Sequence, residues 1–171
     1  MDKHVKLLVY LALLAALCCV ATMVIPIPTP TGGYLNAGDI VVVFTALVAG
    51  PLYGGIAMGL GSGLADLFAG YAIYAPGTLL AKGLAAAVAG LVFRRTKRDL
   101  KGAIFAAVCG ELVMAAGYFL YEAVCLGFGW GAAVEIPGNL LQGAAGVIGG
   151  VALYQALKRV PEVRAFQALT R

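Results

Sequence analysis

Charge is nearly absent from long stretches of this chain, and that constrains its fold more than any other feature. From Leu7 to Ile25 no residue is charged, and most of the remaining sequence is equally apolar. Of 171 residues, 62% are hydrophobic and 12% charged, where a soluble domain carries about a quarter charged. A chain this short cannot hide so much apolar surface from water, so the expected solvent is lipid. The 24 glycines fit the same reading. Glycine weakens a helix in water, but it lets helices approach closely in a bilayer.

The spacing of apolar runs and breakers predicts an all-α integral membrane protein, a six-transmembrane-helix bundle forming a single transmembrane domain over 1–171. The helices are expected at about 4–24, 39–51, 53–69, 77–93, 102–126 and 137–157, several of them near the minimum needed to cross hydrocarbon. The first segment, preceded by Lys3, His4 and Lys6, has the charge pattern of a signal peptide. Leu17 stands where lipoprotein cleavage before Cys18 would want a small residue, so the segment is read as a retained helix. Prolines 26, 28 and 30 force an extended path in the first loop. Gly55, Gly59 and Gly63 give the third helix a face of small residues. A re-entrant pair is the alternative for the second and third helices.

Apart from Lys82, the Lys and Arg residues cluster in three places: Lys3 and Lys6; Arg94 to Lys101; and Lys158, Arg159, Arg164 and Arg171. With six spans all three clusters share one side, which the positive-inside rule makes the cytoplasm. Both termini are then cytoplasmic. No aromatic residues interleave with the clusters, which argues against nucleic acid. Cys18, Cys19, Cys109 and Cys125 show no metal-binding spacing and read as small packing residues.

On that topology the polar residues gather near the outer face: Asp39, Asp66, Lys82, Tyr118, Tyr121, Glu122, Glu135, Asn139 and Gln142, with Glu111 nearer mid-membrane. Ionisable groups inside a membrane are costly and face a cavity or one another, so the cluster points to a pocket open to the outside. Tyr34, Tyr71, Tyr74, Phe128 and Trp130 sit in the outer loops, as a lid over a flat ligand or as interfacial anchors. Single residues have plainer readings: Asp39 as a helix cap, Lys82 paired with Asp66 or Glu122, Glu135 as a solvated loop charge, and Asn139 and Gln142 as helix-to-helix glue.

The only histidine is His4, and neither HExxH nor GxSxG occurs, so an enzyme is not expected. With no GxxxxGK[ST] the chain cannot power itself with ATP. Polar residues do not line a whole path, as a channel would need, and no inverted repeat marks a secondary transporter. A membrane-embedded binding protein energised by a partner remains; a scaffold or regulatory subunit is its rival.

Gly33-Tyr34-Leu35-Asn36-Ala37-Gly38-Asp39 after the Pro-rich loop, Ala49-Gly50-Pro51-Leu52-Tyr53-Gly54-Gly55 and Gly61-Ser62-Gly63-Leu64-Ala65-Asp66-Leu67 resemble segments of the substrate-binding S components of energy-coupling factor (ECF) vitamin transporters. So do Pro76-Gly77-Thr78-Leu79-Leu80-Ala81-Lys82-Gly83, Gly117-Tyr118-Phe119-Leu120-Tyr121-Glu122 and Pro137-Gly138-Asn139-Leu140-Leu141-Gln142-Gly143. The resemblance covers about 5–158 and is nearest to the hydroxymethylpyrimidine, pyridoxine and riboflavin branch. It implies a six-helix protein that binds a vitamin or precursor from outside, without a cofactor of its own. The expected partners are a transmembrane coupling subunit and two cytoplasmic ATPases. Ala12 and Ala16 match the small-residue pattern through which the first helix meets the coupling subunit. The expected ligand groups are Lys82, Glu122, Asn139 and Gln142 reading ring substituents, Tyr118, Tyr121 and Trp130 packing the ring, and Asn36, Asp39 and Asp66 nearby. Other vitamins, such as pantothenate or folate, stay open as alternatives.

Overall fold

The computed structural model describes residues 2–170; Arg171 lies outside the described residues. Helix α1 (Lys3–Val24) leads into a short antiparallel ribbon, β1 (Ile27–Pro28) paired with β2 (Tyr34–Leu35). The ribbon turns at Thr29–Gly32, where the Gly32 amide donates to the Thr29 carbonyl at 3.1 Å. Pro30 at the second turn position and Gly32 with φ of 84° suit that reversal. The prolines therefore act as expected, giving extended backbone rather than helix.

After the ribbon come α2 (Gly38–Ala69), α3 (Ala75–Arg95), α4 (Leu100–Leu120), α5 (Ile136–Leu157) and α6 (Pro161–Leu169). One turn of π-helix, Tyr121–Cys125, extends α4, and a 3-10 segment, Gly129–Glu135, precedes α5. Among the described residues, five continuous helical runs are long and apolar enough to cross a membrane. The second is folded double. Gly50 takes φ 77°, ψ −171°, with Pro51 after it, a conformation only glycine adopts freely. The two limbs of α2, 38–49 and 51–69, then run back along each other. A Cβ on Gly54 would stand 3.3 Å from the Ala46 Cα, and Val42 and Ala46 pack with Ala57 and Met58. The chain thus crosses the bundle six times, the expected second and third helices being the two limbs that meet at Gly50.

The limbs differ in length, about 18 Å for 38–49 and about 28 Å for 51–69 at about 1.5 Å per residue. The short limb therefore starts deep, and the ribbon descends into the bundle to meet it. The limbs of α2 with α3, α4 and α5 form the ring of the bundle, while α1 packs mainly on α2. Glycines set the closest approaches. A Cβ on Gly59 would fall 2.7 Å from the Leu79 carbonyl, and one on Gly110 2.7 Å from the Ala85 carbonyl. At the end carrying the basic residues, the Gly50 reversal presses on α3, where a Cβ on Gly90 would lie 2.6 Å from the Gly50 carbonyl carbon.

Helix α6 was not expected from the sequence. It is amphipathic and lies across that basic end. Phe166 is buried with its ring 5.1 Å from Tyr10, and Arg94 donates to the Thr170 carbonyl at 2.8 Å. Lys158, Arg159 and Arg164 had concealed it, because a basic flank reads as a topology signal before it reads as a helix.

Candidate functional site

At the opposite end the ribbon roofs a hollow between α2, α3, α4 and α5. With the roof in place it is nearly closed, with about 20 Å³ of free volume, room for about one water. Asp66 comes from the long limb of α2, Thr78 from α3, Tyr118 and Glu122 from α4 and its π turn, and Asn139 and Gln142 from α5; Tyr34, Asn36 and Thr29 hang from above. The π turn has a visible consequence. Its extra residue per turn carries Glu122 inward, to 3% exposure, while Val124 and Cys125 face out.

Direct hydrogen bonds hold the roof down. The Thr31 amide and hydroxyl both donate to Glu135 Oε1, each at 2.8 Å, and the Thr31 hydroxyl lies 3.4 Å from Glu122 Oε1. The Tyr74 hydroxyl donates to the Thr31 carbonyl at 2.8 Å, and the Tyr34 hydroxyl to Asp66 Oδ1 at 2.7 Å. The Asn36 amide donates to Gln142 Oε1 at 2.6 Å. Burial, and then the adjoining Asp66 carboxylate, push the Tyr34 phenol well above its ordinary range; burial also raises that of Tyr74. Both therefore stay protonated and able to donate at neutral pH.

Below the hollow lies a second polar layer. Lys82 forms an ion pair with Asp39 Oδ1, each side chain 1% exposed. Gln142 Nε2 donates to Asp39 Oδ2 at 2.6 Å. The Lys82 ammonium also stands 5.5 Å from the centre of the Tyr118 ring, whose hydroxyl donates to Thr78 at 3.0 Å. Glu111 packs beneath, against Gly143 and Gly146. Gln142 joins the layers, accepting from the roof with one end of its amide and donating to the ion pair with the other.

The structure thus brings Asn36, Asp66, Tyr118, Glu122, Asn139 and Gln142 to one hollow, and it separates other expected ligand groups from it. Lys82 pairs with Asp39, not with Asp66 or Glu122, because the short limb places Asp39 at its depth. Asp39 makes no cap bond with its side chain; the Asn36 side chain instead accepts from the Gly38 amide at 2.9 Å. Tyr121 turns from the hollow, its hydroxyl donating to the Ile73 carbonyl at 2.5 Å and its ring filling the space beside Gly77. Trp130 is 88% exposed, its ring tilted by 45° to that of Phe119 with centres 6.2 Å apart. It belongs to the outer surface, since the 3-10 segment points it away from the bundle. Glu135, read as a solvated loop charge, is buried. Thr31 and Thr78 had no place among the expected site residues, and Tyr74 was expected only as part of a lid or as an interfacial anchor. Glu135 already stood in the outer polar cluster of the sequence, and it lies one turn before Asn139, an expected ligand group.

Comparison with known proteins decides what this arrangement belongs to. The sequence model of the ECF-type riboflavin transporter S component matches residues 2–159. The chain belongs to that S-component family. It is a membrane-embedded, vitamin-binding subunit of an ECF-type transporter rather than an enzyme. A protein from Pyrococcus woesei, described as an uncharacterized protein in the gap 3' region, is 38% identical over 141 residues, covering 82% of this chain and 93% of its own. Among solved structures, the S component for biotin from an ECF-type ABC transporter superimposes with a TM-score of 0.58. It covers 91% of this chain and 95% of its own at 19% identity. That likeness is one of fold.

Proposed function

We propose that this S component captures a small, flat heterocyclic vitamin or vitamin precursor in the hollow beneath the ribbon. The ligand is a pyrimidine- or pyridine-like ring, such as hydroxymethylpyrimidine or pyridoxine, or the larger ring of riboflavin. It enters from outside the cell, the side opposite the basic clusters, and an ECF coupling subunit with two cytoplasmic ATPases drives its import. The observation that carries this reading is the roofed hollow itself. Polar side chains from α2, α3, α4 and α5 converge there although the surrounding solvent is lipid, and such convergence is costly unless a solute uses it.

The ribbon serves as the lid: the bonds of Thr31, Tyr34 and Asn36 must part for a ring to enter and can re-form over it. Tyr118 offers a ring face, and Asn139 an amide with both donor and acceptor. Ala12 and Ala16 are exposed on α1, which packs on the bundle by its other side; this supports α1 as the face that meets the coupling subunit.

The test is equilibrium binding of hydroxymethylpyrimidine, pyridoxine and riboflavin to the purified chain, with thermal stabilisation as a second readout. Binding that Tyr118→Ala and Asn139→Ala each weaken by tenfold or more, about 1.4 kcal/mol, supports the hollow. Binding unchanged in both variants removes it from this site. A chain stabilised by no vitamin or precursor is a scaffold, its polar layer serving only to lock helices.

A further inference from the structure

We infer that the hollow selects its ligand by charge, accepting neutral or cationic rings rich in N–H and O–H donors and rejecting carboxylates and phosphates; this rests on the vitamin-binding reading above. Three carboxylates face the hollow: Asp66, Glu122 and Glu135. Among the described residues no Lys, Arg or His lines it. The nearest cation, Lys82, is already committed to Asp39 in the layer below.

Hydrogen-bond accounting leads to the same class. Asp66 Oδ2 and Glu122 Oε2 are buried and have no partner, on side chains of residues only 2% and 3% exposed. A carboxylate oxygen left in that condition is expensive. The protons nearest to them are taken: Tyr34 donates to Asp66 Oδ1, Tyr74 to the Thr31 carbonyl, and Thr31 to Glu135. Gln142 is used at both ends. The roofed hollow therefore presents unpartnered carboxylate oxygens on two sides, and the donors left on its wall are neutral ones, the Asn36 and Asn139 side-chain amides and the Thr29 and Thr78 hydroxyls. A ligand that brings donors satisfies both orphan oxygens. One that brings a carboxylate or phosphate sets its charge against an acidic wall, where water cannot screen it.

Matched pairs test this in the full-length chain. Dissociation constants and thermal shifts are measured for riboflavin against its 5'-phosphate, for pyridoxine and pyridoxamine against 4-pyridoxic acid, and for biotin and pantothenate as carboxylate vitamins. The expected result is that the best ligand is neutral or cationic, and that its anionic counterpart binds about 100-fold more weakly or worse. Glu122→Gln should narrow that gap by about tenfold, as one charge leaves the wall. If that variant does not fold, the matched pairs on the unaltered chain decide alone. An anionic vitamin binding as tightly as any neutral or cationic one overturns the charge selection and leaves vitamin binding intact. Failure of every compound overturns both.

Discussion

Replacing Lys82 with Met should be among the most damaging single changes in this protein, and a second change should repair most of it. The Lys82 and Asp39 side chains are each 1% exposed. Removing the ammonium leaves Asp39 Oδ1 unpaired and an uncompensated charge in the bundle, while Gln142 still serves Oδ2. Breaking a buried ion pair from one side costs about 3–5 kcal/mol. For a chain of this size that lowers the melting temperature by roughly 6–20 °C. Adding Asp39→Asn removes the stranded charge and keeps an oxygen for Gln142. The double variant should then lie within about 1–2 kcal/mol of the original, since exchanging a buried pair for neutral groups is often close to neutral. The assay is a double-mutant cycle of unfolding free energies in one detergent. Additive costs, or a Lys82→Met protein as stable as the original, would refute the claim that the charges depend on each other.

Three further outcomes follow from the geometry. Gly90→Ala should lose about 1–3 kcal/mol in the same unfolding assay, because its Cβ would meet backbone, 2.6 Å from the Gly50 carbonyl carbon and 2.7 Å from the Pro51 nitrogen; full stability would mean that the reversal does not seat on α3. Thr31→Val and Tyr74→Phe each cut bonds that latch the ribbon, worth about 1 kcal/mol apiece. Amides in 27–35 should exchange faster in hydrogen-exchange mass spectrometry, and unchanged protection would show that the lid is held in another way. Trp130→Ala should leave ligand affinity within about twofold, as expected for an exposed side chain clear of the site; a tenfold loss would place the indole over the ligand.

Much of the fold is legible because lipid imposes a one-dimensional rule: a spanning segment must satisfy its backbone internally and keep charge out. The apolar runs, the Pro-rich first loop and the break at Gly50-Pro51 obey that rule within a few residues of sequence. Less of the site is legible. Asp66, Glu122, Asn139 and Gln142 stand out as polar residues at one end of the bundle. Trp130 carries the same kind of signal and faces outward, whereas Glu135 and Thr31 carry a weaker one and face inward.

By itself the sequence determined the solvent, the number of crossings and the end of the bundle where polar groups collect, because hydropathy and helix-breaking residues act locally. Tertiary structure decided which of those groups meet. Lys82 finds Asp39, 43 residues away, because a short limb starts deep and a ribbon descends to it; Glu122 turns inward through one π turn; α6 seals the basic end by burying Phe166. Rotation about a helix axis and depth along it are set by packing between distant segments, and neither is written in the order of residues along any one of them.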